Sequence, residues 1–179
     1  LQQRHCVYFE TRKPDKNGEG EFSIRDLVIA SLRMRPDRLV IGEIRGGEAL
    51  DLLQAMNTGH SGSMSTIHAN SPVDALRRME TCAILSGVEL PLNAVRMQVA
   101  SAINCIVHTM RLPDGSRKIV DISEVLPLKD GEYQTSPLLK WNTRSIAQDG
   151  SVSGDFSLCN KPSFAEDANI MGLELPKYE

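Results

Sequence analysis

Residues 1–104 alternate between short apolar runs and helix-length amphipathic segments, and this alternation limits the chain more than any other feature. Residues 4–12 are rich in β-formers and predict a strand, and 13–21 are polar and Gly-rich, a loop. Ser23 with Asp26 three residues on reads as a capping box, opening a helix that places Leu27, Val28, Ser31 and Leu32 on one face. Pro36 ends it. Leu39–Ile41 is a continuous apolar run, as in a buried parallel strand. Residues 47–58 predict a helix with Ala49, Leu52, Leu53 and Met56 inward, stopped by Gly59. Residues 63–68 predict a second short strand. Ser71, Pro72 and Asp74 open a helix to about Ser86, closed by Gly87. A further helix over about 92–104 is expected to bury Val95, Val99, Ala102 and Ile103. Strand and helix in turn imply an α/β fold, a parallel sheet covered by helices.

The pattern then changes. Residues 105–112 and 117–126 predict strands joined at Pro113-Asp114-Gly115-Ser116, and 132–141 predict another after Lys129-Asp130-Gly131. From about 142 the chain is polar and turn-rich, with a last apolar patch near 170–175. At 179 residues and 41% apolar composition the chain can bury a real core, and no apolar run reaches the ~18 residues of a membrane span. A net charge of -3 argues against nucleic acid as the main partner, although Arg33, Arg35, Arg38 and Arg45 cluster in sequence. The four cysteines are far apart and form no C-x-x-C pair, so a zinc site is not expected. Cys82 and Cys105 read as buried thiols, in keeping with a reducing compartment.

The residues with chemical potential lie at the ends of the two short strands. Glu43 follows Leu39–Ile41, which puts a carboxylate at the C-terminal edge of a parallel sheet, where ligands of such sheets bind. It could orient or deprotonate a water, or be a plain surface glutamate. Gly42 stands where many phosphate-binding enzymes carry a magnesium-directed aspartate. His68 ends the second strand and could donate to a terminal phosphate, or bond to backbone. His60, just after Gly59, has the position of a structural residue. Thr66 and Ser65 could bond phosphate or simply pack. Arg33, Arg35 and Arg45, and less strongly Arg12, suit phosphate oxygens because guanidinium binds them with a planar fork; ion pairs with Asp37, Glu43 or Glu48 are the alternative.

Taken together, Arg33-Met-Arg-Pro-Asp-Arg-Leu-Val-Ile-Gly-Glu-Ile-Arg45 resembles the Walker B segment of the secretion ATPase superfamily, and Gly59-His60 through His68-Ala-Asn-Ser71 resembles its histidine box. The resemblance covers residues 1–128. Gln54-Ala-Met-Asn-Thr-Gly-His60, Ser71-Pro-Val-Asp-Ala-Leu76, and in the tail Gly154-Asp-Phe156 and Lys161-Pro-Ser-Phe164, resemble its Flp (tight-adherence) pilus branch within type IV secretion. The lack of paired C-x-x-C motifs separates it from type II secretion ATPases. The resemblance implies, over 1–128, the C-terminal part of a RecA-like P-loop NTPase core that lacks its P-loop half, followed by a small β-rich C-terminal extension over 129–179. It implies Glu43 and His68 as catalytic residues, with Arg12, Arg33, Arg35, Arg45, His60 and Thr66 around nucleotide phosphates. It further implies ATP and Mg2+ as ligands, a homo-hexamer, an inner-membrane platform partner, no direct nucleic acid, and a cytoplasmic place at the inner face of the membrane. No metal is expected on this chain's own residues.

The sequence holds no G-x-x-x-x-G-K-[ST], whose backbone amides and Lys cradle phosphates. In the superfamily that loop lies upstream, so the chain is expected to be the C-terminal half of an ATPase domain, inactive alone. Two competing expectations are a stand-alone degenerate paralogue acting as a docking subunit, and a conjugative DNA-transfer motor.

Overall fold

The computed structural model describes residues 4–176. The described residues divide into two compact units, residues 4–67 with 78–102, and residues 68–77 with 103–176. The boundary expected at residue 128 falls instead inside a continuous sheet of the second unit, because the strand there runs on into its neighbour through a tight turn.

In the first unit the elements are α1 (Ile24–Leu32), β1 (Val40–Ile41), α2 (Glu48–Asn57), β2 (Met64–Ser65), the later part of α3 (Pro72–Ile84) and α4 (Leu92–Ala102). The expected capping box opens α1. Ser23 Oγ accepts from the Asp26 backbone N–H, and the Asp26 carboxylate accepts from the Ser23 N–H and hydroxyl. These bonds favour the charged carboxylate and hold Asp26 below its ordinary value. A lowered folded pKa contributes stability above the unfolded value and loses it as pH falls through the folded one. The first turn of α1 is therefore expected to fray on acidification only below the usual Asp range, and Asp26→Asn to remove that step. Amide exchange of residues 24–27 against pH measures both.

Helix α2 carries the core. Ala49, Leu50, Leu52, Leu53 and Ala55 are buried on it, a broader stripe than expected, while Met56 is only half-buried. It packs against α1 and α4, on which Val28, Val95 and Val99 are buried, and Ile44 before it is 1% exposed. The expected α4 ends two residues early, at Ala102, and Ile103 is half-buried. Arg25 ties the unit together: it pairs with Asp51 of α2 at 2.8 Å and donates to the carbonyl of Ser86 after α3. Arg96 pairs with Glu80 at 3.0 Å, and both are largely shielded.

β1 and β2 are parallel, with Val40 opposite Met64 and Ile41 opposite Ser65. Both strands are shorter than expected, and Val40 and Met64 are 53% and 54% exposed, against the expectation of a buried strand. Only these two strands pair in this sheet among the described residues, and Val40 and Met64, opposite each other, share one face. Residues 4–12 form no strand for a related reason. A strand needs a ladder partner, and here only Arg12 bridges, to Phe22, leaving Val7, Tyr8 and Phe9 exposed.

The second unit is an antiparallel meander of β3 (Cys105–Arg111), β4 (Arg117–Lys129), β5 (Glu132–Ile146) and β6 (Val152–Leu158), followed by α5 (Ala165–Ile170). The turn between β4 and β5 puts Asp130 at φ 53 and Gly131 at φ 78, the left-handed pair a two-residue hairpin requires. The polar, turn-rich tail expected after 142 is in fact the end of β5, all of β6, and α5. Polar cross-strand pairs hold this hairpin: Arg144 with Asp155, Asn142 with Ser157, and Ser145 with Ser153. Glu124 is buried at 6% exposure and accepts from the backbone N–H and hydroxyl of Ser163, which anchors the turn before α5. The apolar patch expected at 170–175 is exposed, because α5 buries Ala165 and Ala168 instead. Cys82 is buried as expected, whereas Cys105 is exposed on its strand.

Candidate functional site

Glu43 lies just past the C-terminal end of β1, and four interactions fix it there. Thr66 takes both sides of its backbone: the Thr66 hydroxyl donates to the Gly42 carbonyl at 2.5 Å, and the Thr66 carbonyl accepts from the Ile44 N–H at 2.9 Å. Ile44, wholly buried, anchors the next residue in the core. Arg45 then reaches back, with Nε and a terminal nitrogen 2.8 and 2.6 Å from one Glu43 carboxylate oxygen. The carboxylate raises the Arg45 pKa above its ordinary value through that bond and its charge. The Glu43 side chain is 23% exposed and that of Arg45 is 75%. The pair therefore fixes a direction more than it contributes stability.

Two residues outside the expected set complete the arrangement. Glu48, in the first turn of α2, accepts from the Arg45 and Gly46 N–H groups at 2.7 and 3.0 Å. Its signal was available: a glutamate three residues past a turn N–H is the spacing at which a first-turn carboxylate reaches back. Ser63 accepts from the Leu39 N–H and donates to the His60 carbonyl, locking the start of β2 against the start of β1. A lone serine in a Gly-Ser stretch carries no such signal.

His60 closes α2: its backbone N–H and its ring Nδ1 both face the Ala55 carbonyl, at 3.1 and 3.3 Å, so Nδ1 carries the proton. Arg33 is the C-cap of α1, its side chain exposed. Arg35 is held at φ 53, rare for a residue with a side chain, directly before Pro36, which bars the right-handed helical region to it. Arg12 stacks on Phe22 with its guanidinium carbon 5.1 Å from the ring centre and donates to the Gly20 carbonyl. The structure thus brings Glu43, Arg45 and Thr66 together and places Arg12, Arg33, Arg35 and His60 in separate local roles. His68 begins the second unit and is exposed.

Magnesium requires an octahedral set of oxygens, usually one or two carboxylates with phosphate and water. Gly42 offers no side chain, and the Glu43 carboxylate is already held by Arg45. Among the described residues no three His, Cys, Asp or Glu side chains gather as a ligand set. These residues do not form a magnesium site by themselves, so the chemistry assigned to them below passes through no metal.

A short parallel strand pair with a clamped carboxylate at its C-terminal edge has the placement at which open α/β sheets bind their ligands. The family model for type II/IV secretion system proteins matches residues 2–147, and the chain belongs to that family. A putative conjugal transfer protein of Mycobacterium tuberculosis is 37% identical over 152 residues, covering 84% of this chain and 42% of that protein. The type IV secretion system protein PtlH of Bordetella pertussis is 38% identical over 113 residues, covering 61% of this chain and 33% of its own. Among solved structures, the VirB11 ATPase of the Brucella suis type IV secretion system, in complex with sulphate, aligns with a TM-score of 0.54 at 29% identity, covering 57% of this chain and 32% of that one. The chain thus spans less than half the length of these relatives. Among the described residues, no helix is long and apolar enough to cross a membrane.

Proposed function

We propose that the chain is the C-terminal part of a secretion-type ATPase domain, and that it supplies the carboxylate that activates water for attack on the terminal phosphate of ATP. The observation that carries this reading is the clamped Glu43: a carboxylate on a strand edge, backbone fixed on both sides, side chain aimed by Arg45. Phosphoryl transfer asks a protein mainly for positioning and charge stabilisation, and a carboxylate so held is suited to orient a water. Arg45 then has a second use, since its exposed guanidinium could turn from Glu43 to phosphate oxygens as charge develops there. His68 keeps the role its motif implies, contact with the terminal phosphate.

The working enzyme in this reading is a cytoplasmic, membrane-peripheral hexamer. It passes ring motions to an inner-membrane platform and drives pilus assembly or secretion. The phosphate cradle and the magnesium contacts come from sequence upstream. The exposed Val40–Met64 row is an apolar patch on a sheet face, which structure in that upstream part would cover. A second cargo, DNA in conjugation, is favoured by the M. tuberculosis relative's name. The sign of the test is simple. A version extended upstream through a P-loop is expected to turn over ATP, and the 179-residue chain alone is not. A folded, extended version without turnover would overturn the reading in favour of a non-catalytic docking subunit.

A further inference from the structure

We infer that Thr66 is a positioning residue for Glu43 and not a phosphate ligand, an inference that rests on the catalytic reading of Glu43. The hydroxyl is spent on the Gly42 carbonyl, and the backbone carbonyl on the Ile44 N–H. One residue of β2's extension thus holds the peptide groups immediately before and after Glu43. This is more than a sheet ladder gives. Regular pairing ends at Ile41 opposite Ser65, and beyond it the Thr66 hydroxyl replaces the backbone donor that a parallel ladder no longer provides. Without that bond, Gly42, which has no Cβ and meets nothing within 4 Å where one would stand, is free to turn about its own dihedral angles. Glu43 would turn with it, and its carboxylate would sample directions that miss the water.

The distinction has a kinetic signature. A phosphate ligand contributes to substrate binding, so its loss raises KM. A residue that aims the base acts on the chemical step, so its loss lowers kcat. Misplacement of a reacting group by about 1 Å costs up to ~100-fold. In the extended, ATP-hydrolysing protein with Mg-ATP as substrate, Thr66→Val is expected to lower kcat by about tenfold or more with KM little changed. Thr66→Ser keeps the hydroxyl and is expected to restore kcat to near the parent value. Valine leaves the Thr66 carbonyl bond to Ile44 in place, so the melting temperature should move little.

A raised KM with unchanged kcat in Thr66→Val would overturn the inference, and so would a Thr66→Ser variant as slow as valine. Should Thr66→Val fail to fold, Thr66→Ala, which also removes the hydroxyl, is read by the same split: a lowered kcat at unchanged KM supports the inference, and a raised KM at unchanged kcat overturns it. Glu43→Gln, run alongside, separates the two levels. If it keeps full turnover, the catalytic reading of Glu43 fails and the inference with it. If it abolishes turnover while Thr66→Val is as fast as the parent, only the inference fails.

Discussion

Glu43→Gln in the ATP-hydrolysing protein is expected to lower turnover by at least ~100-fold, the range over which a positioned proton acceptor contributes, while KM for ATP stays within a few-fold. The amide has the carboxylate's shape and can still accept from Arg45, so the backbone clamp by Thr66 and Glu48 survives. What disappears is the negative charge that would polarise the attacking water. Arg45 loses the charge partner that raises its pKa and keeps only a neutral acceptor at the 2.6 Å contact. Because Arg45 is mostly exposed, the ion pair adds little to folding stability, and the variant's melting temperature should match the parent's. A folded Glu43→Gln protein with near-parental turnover would remove Glu43 from the chemistry. A variant that melts much lower would say instead that the carboxylate is structural.

The largest effect on stability is expected from Leu53→Ala. Leu53 is 0% exposed on the buried stripe of α2, which packs on α1 on one side and α4 on the other. Removing a fully buried leucine side chain costs about 2–5 kcal/mol, the transfer term plus the cavity left behind. That is a large share of the ~5–15 kcal/mol that holds a typical domain. Urea unfolding of the chain should show the midpoint falling with the slope unchanged. Met56→Ala, at the half-buried edge of the same helix, is the control and should cost clearly less. Equal losses from both would mean that α2 does not hold the core of its unit.

The helical half of this protein was legible because its signals are local. Ser23 and Asp26, Ser71 and Asp74, and Gly59 and Gly87 mark helix ends by chemistry confined to one turn. The place of Glu43 just past a strand was legible for the same reason, as the first polar side chain after an apolar run. Strands fared less well, since each needs a partner that a single segment does not reveal. Residues 4–12 have strand composition and no ladder. Residues 142–158 have weak strand composition and a full ladder, secured by Ser, Asn, Arg and Asp pairs that read as a loop. The site residues divide along the same line. Arginine side chains that suit phosphate by type were used locally, Arg12 on an aromatic ring and Arg45 on Glu43. The roles of Thr66 and Ser63 depend on bonds to residues more than twenty positions away.

Gly47 begins α2 so close to the turn after α3 that an added Cβ would stand 2.6 Å from the Ser86 Cα. The segment from Glu43 to Gly47 therefore has a hard stop behind it, made of backbone that cannot yield as a flexible side chain would. Arg25 grips the same turn at the Ser86 carbonyl and, through Asp51, grips α2 as well. A displacement of this turn would therefore press first on Gly47 and, through Arg25 and Asp51, on α2. On the proposed ATPase reading, the turn after α3 is then the place to test, by a substitution at Ser86, whether a change outside the strand edge alters turnover at Glu43.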